Sequence, residues 1–309
     1  MGRYVARRLL QMIPVFIGST LLVFSMMYAL PGDPVRALAG EQAVDPAQIA
    51  AMKKDLGLDL PLWHQYWNYL TGLLQGDFGT QIASGQPVAD IIADAFPITA
   101  RLTIFAFAFT VVVGISMGVF AGLKADSLRD RALLILTLLL ISVPSFVLAF
   151  LGRYLFAFEL GWVAPNVSGD PSWDELILPA VVLGSLSLAY VARLTRTSVA
   201  ENLRSDYMRT AVAKGLPRRR IIGVHLLRNS MIPVVTFLGT DLGALMGGAV
   251  VTEGIFNVKG VGWSVFGALK QREGATVVGI VTLIVVVYLV ASLLVDLLYA
   301  VLDPRIRYA

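Results

Sequence analysis

Six long apolar segments constrain the fold of this chain more strongly than any other feature of its sequence. The first runs for 22 residues without a charged side chain, and a helix of that length crosses the roughly 30 Å hydrocarbon core of a bilayer. Only 15% of the residues are charged, against about 25% in soluble proteins. We therefore predict an all-α polytopic membrane protein in which residues 1–309 form one transmembrane domain. The predicted spans are 9–30, 102–123, 132–158, 176–192, 231–251 and 276–302.

The first apolar segment is open to a second interpretation, as a cleaved secretory signal. Residues Ala37, Leu38 and Ala39 resemble a small-residue cleavage site. The apolar run is longer than the core of a usual signal, however, and a Pro-Gly-Asp-Pro segment at 31–34 separates it from that site. We therefore expect an uncleaved first helix.

The distribution of basic residues predicts the orientation of the chain. Six spans place both termini on one side, and 17 of the 25 Lys and Arg residues fall on that side. Because cytoplasmic loops are enriched in Lys and Arg, we predict cytoplasmic termini, an extracytoplasmic segment at 31–98 and a cytoplasmic loop at 193–230. The same enrichment explains the pI of about 9.4 without a nucleic-acid partner. Within 31–98, clustered aromatic residues favour a position at the membrane surface for 62–74.

Two predicted spans carry glycines at four-residue spacing, which lets helices pack closely in lipid. We predict that the second and fifth spans are the closely packed, central helices. The six glycines are Gly114, Gly118 and Gly122 in the second span and Gly239, Gly243 and Gly247 in the fifth.

The predicted cytoplasmic loop 193–230 has the pattern of a helix–turn–helix. Ser205 is placed to cap a helix start, Gly215 to adopt the left-handed conformation that ends it, and Pro217 to prevent its continuation. A second short helix is predicted from Arg218 to Leu227. We interpret the loop as an elbow on which another protein docks; the simpler interpretation is a basic loop that only fixes orientation. Nine basic residues lie in it: Arg193, Arg196, Arg204, Arg209, Lys214, Arg218, Arg219, Arg220 and Arg228.

These residues resemble the loop that membrane subunits of ATP-binding-cassette importers insert into their ATPases. The family pattern of Glu-Ala-Ala, three residues and Gly is matched by Arg209, Thr210, Ala211 and Gly215. The His-Leu-Leu-Arg-Asn stretch at 225–229 falls where the family often has His, two apolar residues, Pro and Asn. Arg209 stands where the general pattern has Glu, and Arg228 stands where it has Pro. Both departures are typical of the peptide-permease branch.

Further stretches, spread over most of the chain, are similar to the first membrane subunit of dipeptide and oligopeptide permeases. They lie at residues 3–9, 30–34, 56–59, 75–79, 253–262 and 302–305. The resemblance implies the type I importer architecture in the cytoplasmic (inner) membrane. It also implies a heterodimer with a second permease, two ATPase subunits that use ATP and Mg, and an extracytoplasmic substrate-binding protein. The sequence has no Gly-x4-Gly-Lys-Ser/Thr phosphate loop, so we expect no enzymatic activity and no bound cofactor or metal in this chain.

The resemblance also assigns roles to individual residues. Ala211 and Gly215 are expected to let an ATPase approach closely, and Tyr207, Arg209 and Leu216 to make side-chain contacts. The loop that begins at Glu253 is expected to face the binding protein. The predicted coupling residues are Tyr207, Arg209, Thr210, Ala211, Gly215, Leu216 and His225, and the predicted binding-protein contacts are Glu253, Phe256 and Asn257.

A proton- or ion-coupled secondary transporter is the alternative. Such a carrier needs ionisable groups inside the membrane, and Asp241 and Asp296 are the acidic candidates within predicted spans. For Asp241 we favour an interhelical hydrogen bond or ion pair. An intramembrane enzyme has no support, because His64 and His225 are the only histidines and are predicted on opposite sides of the membrane. The substrate stays open among dipeptides, longer peptides, nickel complexes and haem.

Overall fold

Helices make up most of the part of the chain that the computed structural model describes, which is residues 2–29, 46–55 and 57–302. The predicted motifs at 30–34 and 37–39, Leu56 and the tail at 303–305 lie outside these ranges. The described helices are α1 (Gly2–Ala29), α2 (Pro46–Asp55), α3 (Leu62–Leu73), α4 (Val88–Gly122), α5 (Leu128–Ser142), α6 (Ser145–Glu159), α7 (Ile177–Leu203), α8 (Asp206–Ala213), α9 (Arg218–Phe256), α10 (Val261–Gln271) and α11 (Gly274–Leu302). Wider π turns interrupt α4 at Thr110–Gly114, α6 at Arg153–Glu159 and α9 at Ile221–Leu226.

The prediction of an all-α polytopic membrane protein is confirmed. In the described residues, five helices are long and apolar enough to cross a bilayer, and the bent pair α5 and α6 makes up to six. The five are α1, α4, α7, α9 and α11, with α1 contributing Val5–Met27 and α11 contributing Gly274–Leu297.

The predicted span 132–158 is not one continuous helix. Pro144 ends α5 and starts α6, and the two segments meet at 103°. Val143 is extended at ψ 125°, because the ring of a following proline disfavours the helical conformation. Proline also lacks the N–H group that would continue the helical hydrogen bonds.

Several helices extend beyond their predicted spans. Helix α4 begins at Val88 and so includes the end of the predicted loop 31–98, which also contains α2 and α3. Helix α7 continues to Leu203, well past the predicted end at residue 192. Apolar composition locates the part of a helix that lies in lipid, but the helical hydrogen bonds continue wherever the polar flanking residues permit them.

The described helices fall into two compact groups. The first comprises the described residues within 1–99 and 259–293, and its core joins α4, α10 and α11 through side chains such as Ile92, Val265 and Ile280. Two polar contacts that the sequence analysis did not identify also lie here. The buried carboxylate of Glu273 accepts hydrogen bonds from the backbone N–H groups of Ile82 (2.9 Å) and Ala83 (2.7 Å). These bonds fix the segment before α4 to the start of α11.

The second group comprises the described residues within 100–258 and 294–309, and α7 is its central helix. More than half of α7 is buried, and it packs against α4, α5, α6 and α9. Within this group, the predicted second and fifth spans therefore lie against α7 and not at the centre. The span predicted to be the shortest is the one on which both of them pack, because its own face is rich in small residues such as Gly184, Ser187 and Ala192.

Candidate functional site

The elbow at 205–228 connects two spanning helices of the second group. Helix α7 ends at Leu203, the two-turn helix α8 follows, and α9 begins at Arg218 directly after Pro217. The short helix predicted at Arg218–Leu227 is not separate, since it is the first part of the 39-residue helix α9. The elbow is thus a projection of one short helix between two long ones.

Ser205 begins α8 in an extended conformation (φ −71°, ψ 153°), but its side chain does not cap the helix as predicted. Its hydroxyl donates instead to the carbonyl of Asn202 at 2.6 Å. The backbone carbonyl of Ser205 accepts the first helical bond, from Met208 N–H at 3.1 Å. The hydroxyl therefore fixes the turn at the end of α7 and not the start of α8.

Gly215 ends α8 in the left-handed conformation, with φ +68°. The N–H of Leu216 reaches back to the carbonyl of Ala211 at 3.4 Å, which is the bond expected when a helix ends at a left-handed residue. A Cβ atom placed on Gly215 would meet nothing within 4 Å. The glycine is therefore needed for its backbone angle, and its open surroundings leave room for a second protein.

The inner face of α8 is packed against the chain itself. Met208 and Ala211 are buried, at 4% and 5% exposure, in an apolar cluster with the ends of three spanning helices. The members from those helices include Val119 and Leu123 of α4, Val199 and Leu203 of α7, and Ile221 and Leu226 of α9. Ala211 packs inside the chain itself, because a side chain at i+3 from Met208 on the same helix face meets the same internal core.

The outer face of α8 is exposed and carries one acidic and one basic side chain. Arg209 is 79% exposed and lies 3.7 Å from Asp206, an ion pair that solvent weakens. Thr210 and Val212 are exposed beside it, and Val212 presents 64% of its surface. A groove of about 650 Å³ runs between α8 and the start of α9, lined by Arg209, Val212, Leu216 and Arg218 among others. The groove thus combines apolar surface with positive charge.

Three of the predicted coupling residues are partly held by the chain itself. The Tyr207 hydroxyl donates to Asn202 Oδ1 at 2.6 Å, which ties α8 to the last turn of α7. Leu216 is half-buried against the apolar cluster. His225 is half-buried in the π turn of α9, where its carbonyl accepts from the Asn229 amide at 3.2 Å. The structure thus brings the predicted residues together but exposes only some of them.

An ion pair that the sequence analysis missed lies next to the elbow. Arg196 on α7 donates from Nε to Asp130 Oδ1 at 2.7 Å and from a terminal nitrogen to Oδ2 at 2.5 Å. The Asp130 side chain is 2% exposed and also accepts from the backbone N–H of Asp126 at 2.8 Å. Paired hydrogen bonds of this kind fix geometry as well as charge. They join α5 to α7 at the end from which the elbow projects.

The residues predicted to face a binding protein are mostly internal. Helix α9 continues to Phe256, so Glu253 and Phe256 are helical and buried, at 0% and 1% exposure. Only Asn257, which ends the helix at φ 57°, is exposed among the three. The glycine-rich sequence around Glu253 gave no sign that this residue lies on the buried face of a helix. The expected open loop is therefore helical as far as Phe256.

Asp241 makes an interhelical hydrogen bond in the second group. The Ser187 hydroxyl on α7 donates to Asp241 Oδ1 at 2.7 Å, and both residues are buried. Polar residues buried between spanning helices commonly join them in this way. Within the described ranges, no three His, Asp or Glu side chains come together as a metal site.

The chain matches two family descriptions over most of its length. Residues 114–308 match the "Binding-protein-dependent transport system inner membrane component", and residues 1–103 match the N-terminal part of such membrane components. A relative from Escherichia coli, the glutathione transport system permease protein GsiC, is 41% identical over 308 residues, which covers 100% of both chains. The dipeptide transport system permease protein DppB of Alkalihalophilus pseudofirmus is 38% identical over 331 residues, which covers 99% of each.

The matches agree with an architecture of several apolar helices long enough to span a membrane. They also give no support to an ion-coupled secondary transporter, since both relatives carry the names of transport-system permeases. The protein is a multi-pass membrane protein, and the chain belongs to the family of inner membrane components of binding-protein-dependent transport systems.

Proposed function

We propose that the chain forms half of the translocation pathway of an ATP-driven importer of short peptides. The partners in this proposal are a second, homologous permease, two ATPase subunits and an extracytoplasmic substrate-binding protein. Relatives named for glutathione and for dipeptides support small peptides as the substrate class. ATP and Mg bind to the ATPase subunits, and this chain acts by changing its conformation.

One observation carries the coupling role: α8 packs against the ends of three spanning helices at once. Its buried residues contact α4, α7 and α9, while its outer face carries exposed basic and apolar side chains. A displacement of α8 therefore acts on all three helices together, because packed interiors transmit strain. The pair of Asp130 and Arg196 extends that connection to α5.

The mechanism follows from this geometry. ATP binding draws two ATPase subunits together, and each carries a docked elbow with it. The movement of α8 then tilts the helices packed on its inner face, and the pathway between the two permeases opens alternately to either side. The orientation proposed for this cycle places the elbow and both termini in the cytoplasm, in agreement with the distribution of Lys and Arg.

The experiment compares two variants of Gly215 in the complete transporter. Gly215→Arg places a long side chain at an open position, and we expect loss of ATPase co-purification and of peptide uptake in proteoliposomes. Gly215→Ala is the matched control, because alanine meets the same unfavourable left-handed backbone angle without the bulk. Both variants should reach the membrane in equal amounts.

The two variants separate docking from backbone strain. Loss of ATPase binding in Gly215→Arg but not in Gly215→Ala supports the proposal. Normal ATPase binding and uptake by Gly215→Arg would remove its basis.

A further inference from the structure

Helix α3 differs from a water-facing helix in having no charged residue. No Asp, Glu, Lys or Arg occurs from residue 60 to residue 76, whereas the ten-residue helix α2 contains Lys53 and Lys54 in its last turn. Large apolar side chains on α3 are nevertheless exposed, with Trp63 at 69%, Trp67 at 62% and Leu62 at 53%. A helix whose exposed side faced water would carry charged residues there.

Two tyrosines on the other side of α3 bind the spanning helices of the same group. The Tyr66 hydroxyl donates to the carbonyl of Ile17 at 3.1 Å and lies 2.9 Å from Thr20 Oγ1. The Tyr69 hydroxyl lies 2.7 Å from Thr282 Oγ1 and donates to it. Phe24 of α1 packs against both tyrosine rings, at centroid distances of 5.4 and 6.3 Å. Helix α3 is therefore fixed directly against α1 and α11.

The contact points lie well inside the apolar spans. Ile17 is ten residues before the end of the span Val5–Met27, which places it about 15 Å from that end at 1.5 Å per residue. Thr282 is eight residues after the start of the span at Gly274, or about 12 Å inside it. Since the hydrocarbon core is about 30 Å thick, these groups lie at the depth of lipid acyl chains.

Two polar side chains of α3, Gln65 and Thr71, are bonded within the protein. The Thr71 hydroxyl donates to the carbonyls of Trp67 and Asn68 within its own helix, at 3.1 and 3.0 Å. The Gln65 amide donates to the carbonyl of Leu60 at 2.7 Å. Polar groups without water must find partners inside the protein. The exposed face of the helix then consists of Leu62, the two tryptophans and three uncharged polar residues, His64, Asn68 and Thr71.

From these observations we infer that the exposed face of α3 binds lipid, with Trp63 and Trp67 embedded among acyl chains below the headgroups. The leaflet is the one reached by the C-terminal end of α1. Exposed apolar side chains of α1 beside the contact, including Ile13, Ile17 and Leu21, continue the same lipid-facing surface. The segment between α1 and α4 is therefore partly a membrane-embedded helix and not wholly an aqueous domain. This inference does not depend on the proposed function.

The test measures quenching of tryptophan fluorescence in the full chain. The chain has five tryptophans, so a variant that keeps only Trp67, with the other four changed to Phe, reports on α3 alone. The matched control keeps only Trp173, which is 59% exposed in the segment between α6 and α7. Each variant is placed in nanodiscs of phosphatidylcholine, with or without bromine in the upper half of the acyl chains.

We expect Trp67 to lose most of its fluorescence in brominated lipid and to resist quenching by aqueous iodide. Trp173 should show a weaker loss in brominated lipid and a stronger loss with iodide. Quenching of Trp67 by iodide alone would place α3 in water and overturn the inference. Protection of Trp67 from both quenchers would show that protein covers this face, and it would overturn the inference equally. The conservative Phe substitutions keep an aromatic ring at each site, and a Trp63-only variant provides an independent repeat.

Discussion

The glycines of α4 and of α9 have the same four-residue spacing but meet different surroundings. A Cβ atom on Gly118 would lie 2.5 Å from both the carbonyl oxygen of Ala192 and Cβ of Thr195, and one on Gly122 would lie 2.8 Å from the carbonyl of Arg196. The α4 glycines thus allow backbone-to-backbone contact with α7. In contrast, the three atoms nearest to a Cβ on Gly239 all belong to the side chain of Val295 on α11, and Gly247 is exposed with nothing within 4 Å.

The difference arises because the spaced glycines of each helix form a stripe along one face, and only the stripe of α4 faces α7. Helix α9 contacts α7 through Val234, Leu238 and Asp241. At 3.6 residues per turn the glycines of α9 point to the opposite side of that helix, although Gly243 is still buried. A glycine stripe therefore indicates that a helix can pack closely, while the partner and the closeness depend on which face is turned toward it. Three sets of substitutions test this contrast, from the largest expected change in stability to the smallest.

The largest effect is expected at Gly118. Gly118→Ala places a methyl group against a carbonyl oxygen and a β-branched side chain, neither of which can move without displacing α7. We expect a loss of about 3 kcal/mol, the upper part of the range for overpacked cores. Gly247→Ala is the control and should be neutral or slightly stabilising, because alanine is the better helix former. Thermal unfolding of the two variants in detergent measures the difference, and equal shifts in Tm would contradict it.

An intermediate effect is expected at the ion pair beyond the α4–α7 contact. Asp130→Ala leaves Arg196, which is 21% exposed, without its paired hydrogen bonds. We expect a loss of about 2 kcal/mol, as for charged hydrogen bonds. The control Asp206→Ala removes the exposed partner of Arg209 and should cost about 0.5 kcal/mol or less. Equal decreases in Tm for the two variants would show that the buried ion pair stabilises the protein no more than the exposed one does.

The smallest net effect is expected when Gly239 and its neighbour are changed together. Gly239→Ala meets a valine side chain, so we expect a loss of about 1 kcal/mol that Val295→Ala partly reverses. The matched pair, Gly118→Ala with Thr195→Ala, should not recover to the same degree, because the carbonyl of Ala192 remains in place. A double-mutant cycle on Tm compares the two coupling energies. Equal coupling energies in the two pairs would contradict the contrast, because they would show that Gly118 and Gly239 both meet only a side chain that can be trimmed.

Helix endings were predictable only where local chemistry decides them. Gly215 has the predicted left-handed conformation because its surroundings impose no competing contact. Prolines gave a less consistent signal. The helices on either side of Pro144 are bent by 103° relative to each other. In contrast, α1, α4 and α9 continue through Pro14, Pro97 and Pro233. Neighbouring helices determine whether the lost hydrogen bond is tolerated.

The candidate site was predicted in position but not in detail. The elbow lies where the basic segment and its turn residues indicated, yet Ala211 is internal and Ser205 binds the end of α7. The pair of Asp130 and Arg196 had no sequence signal, since 66 residues separate its members. Contacts over such separations depend on how the helices pack.

By itself, the sequence determined that the chain spans a membrane several times and carries a basic elbow ended by Gly215. Apolar length and backbone preference are local properties, so they can be read residue by residue. The tertiary structure decided that α7 is the central helix of its group, that of the two sets of spaced glycines only the α4 set contacts backbone, and that α8 presents one face while burying the other. These features depend on which faces of separate helices meet, and that choice is made by packing among all of them at once.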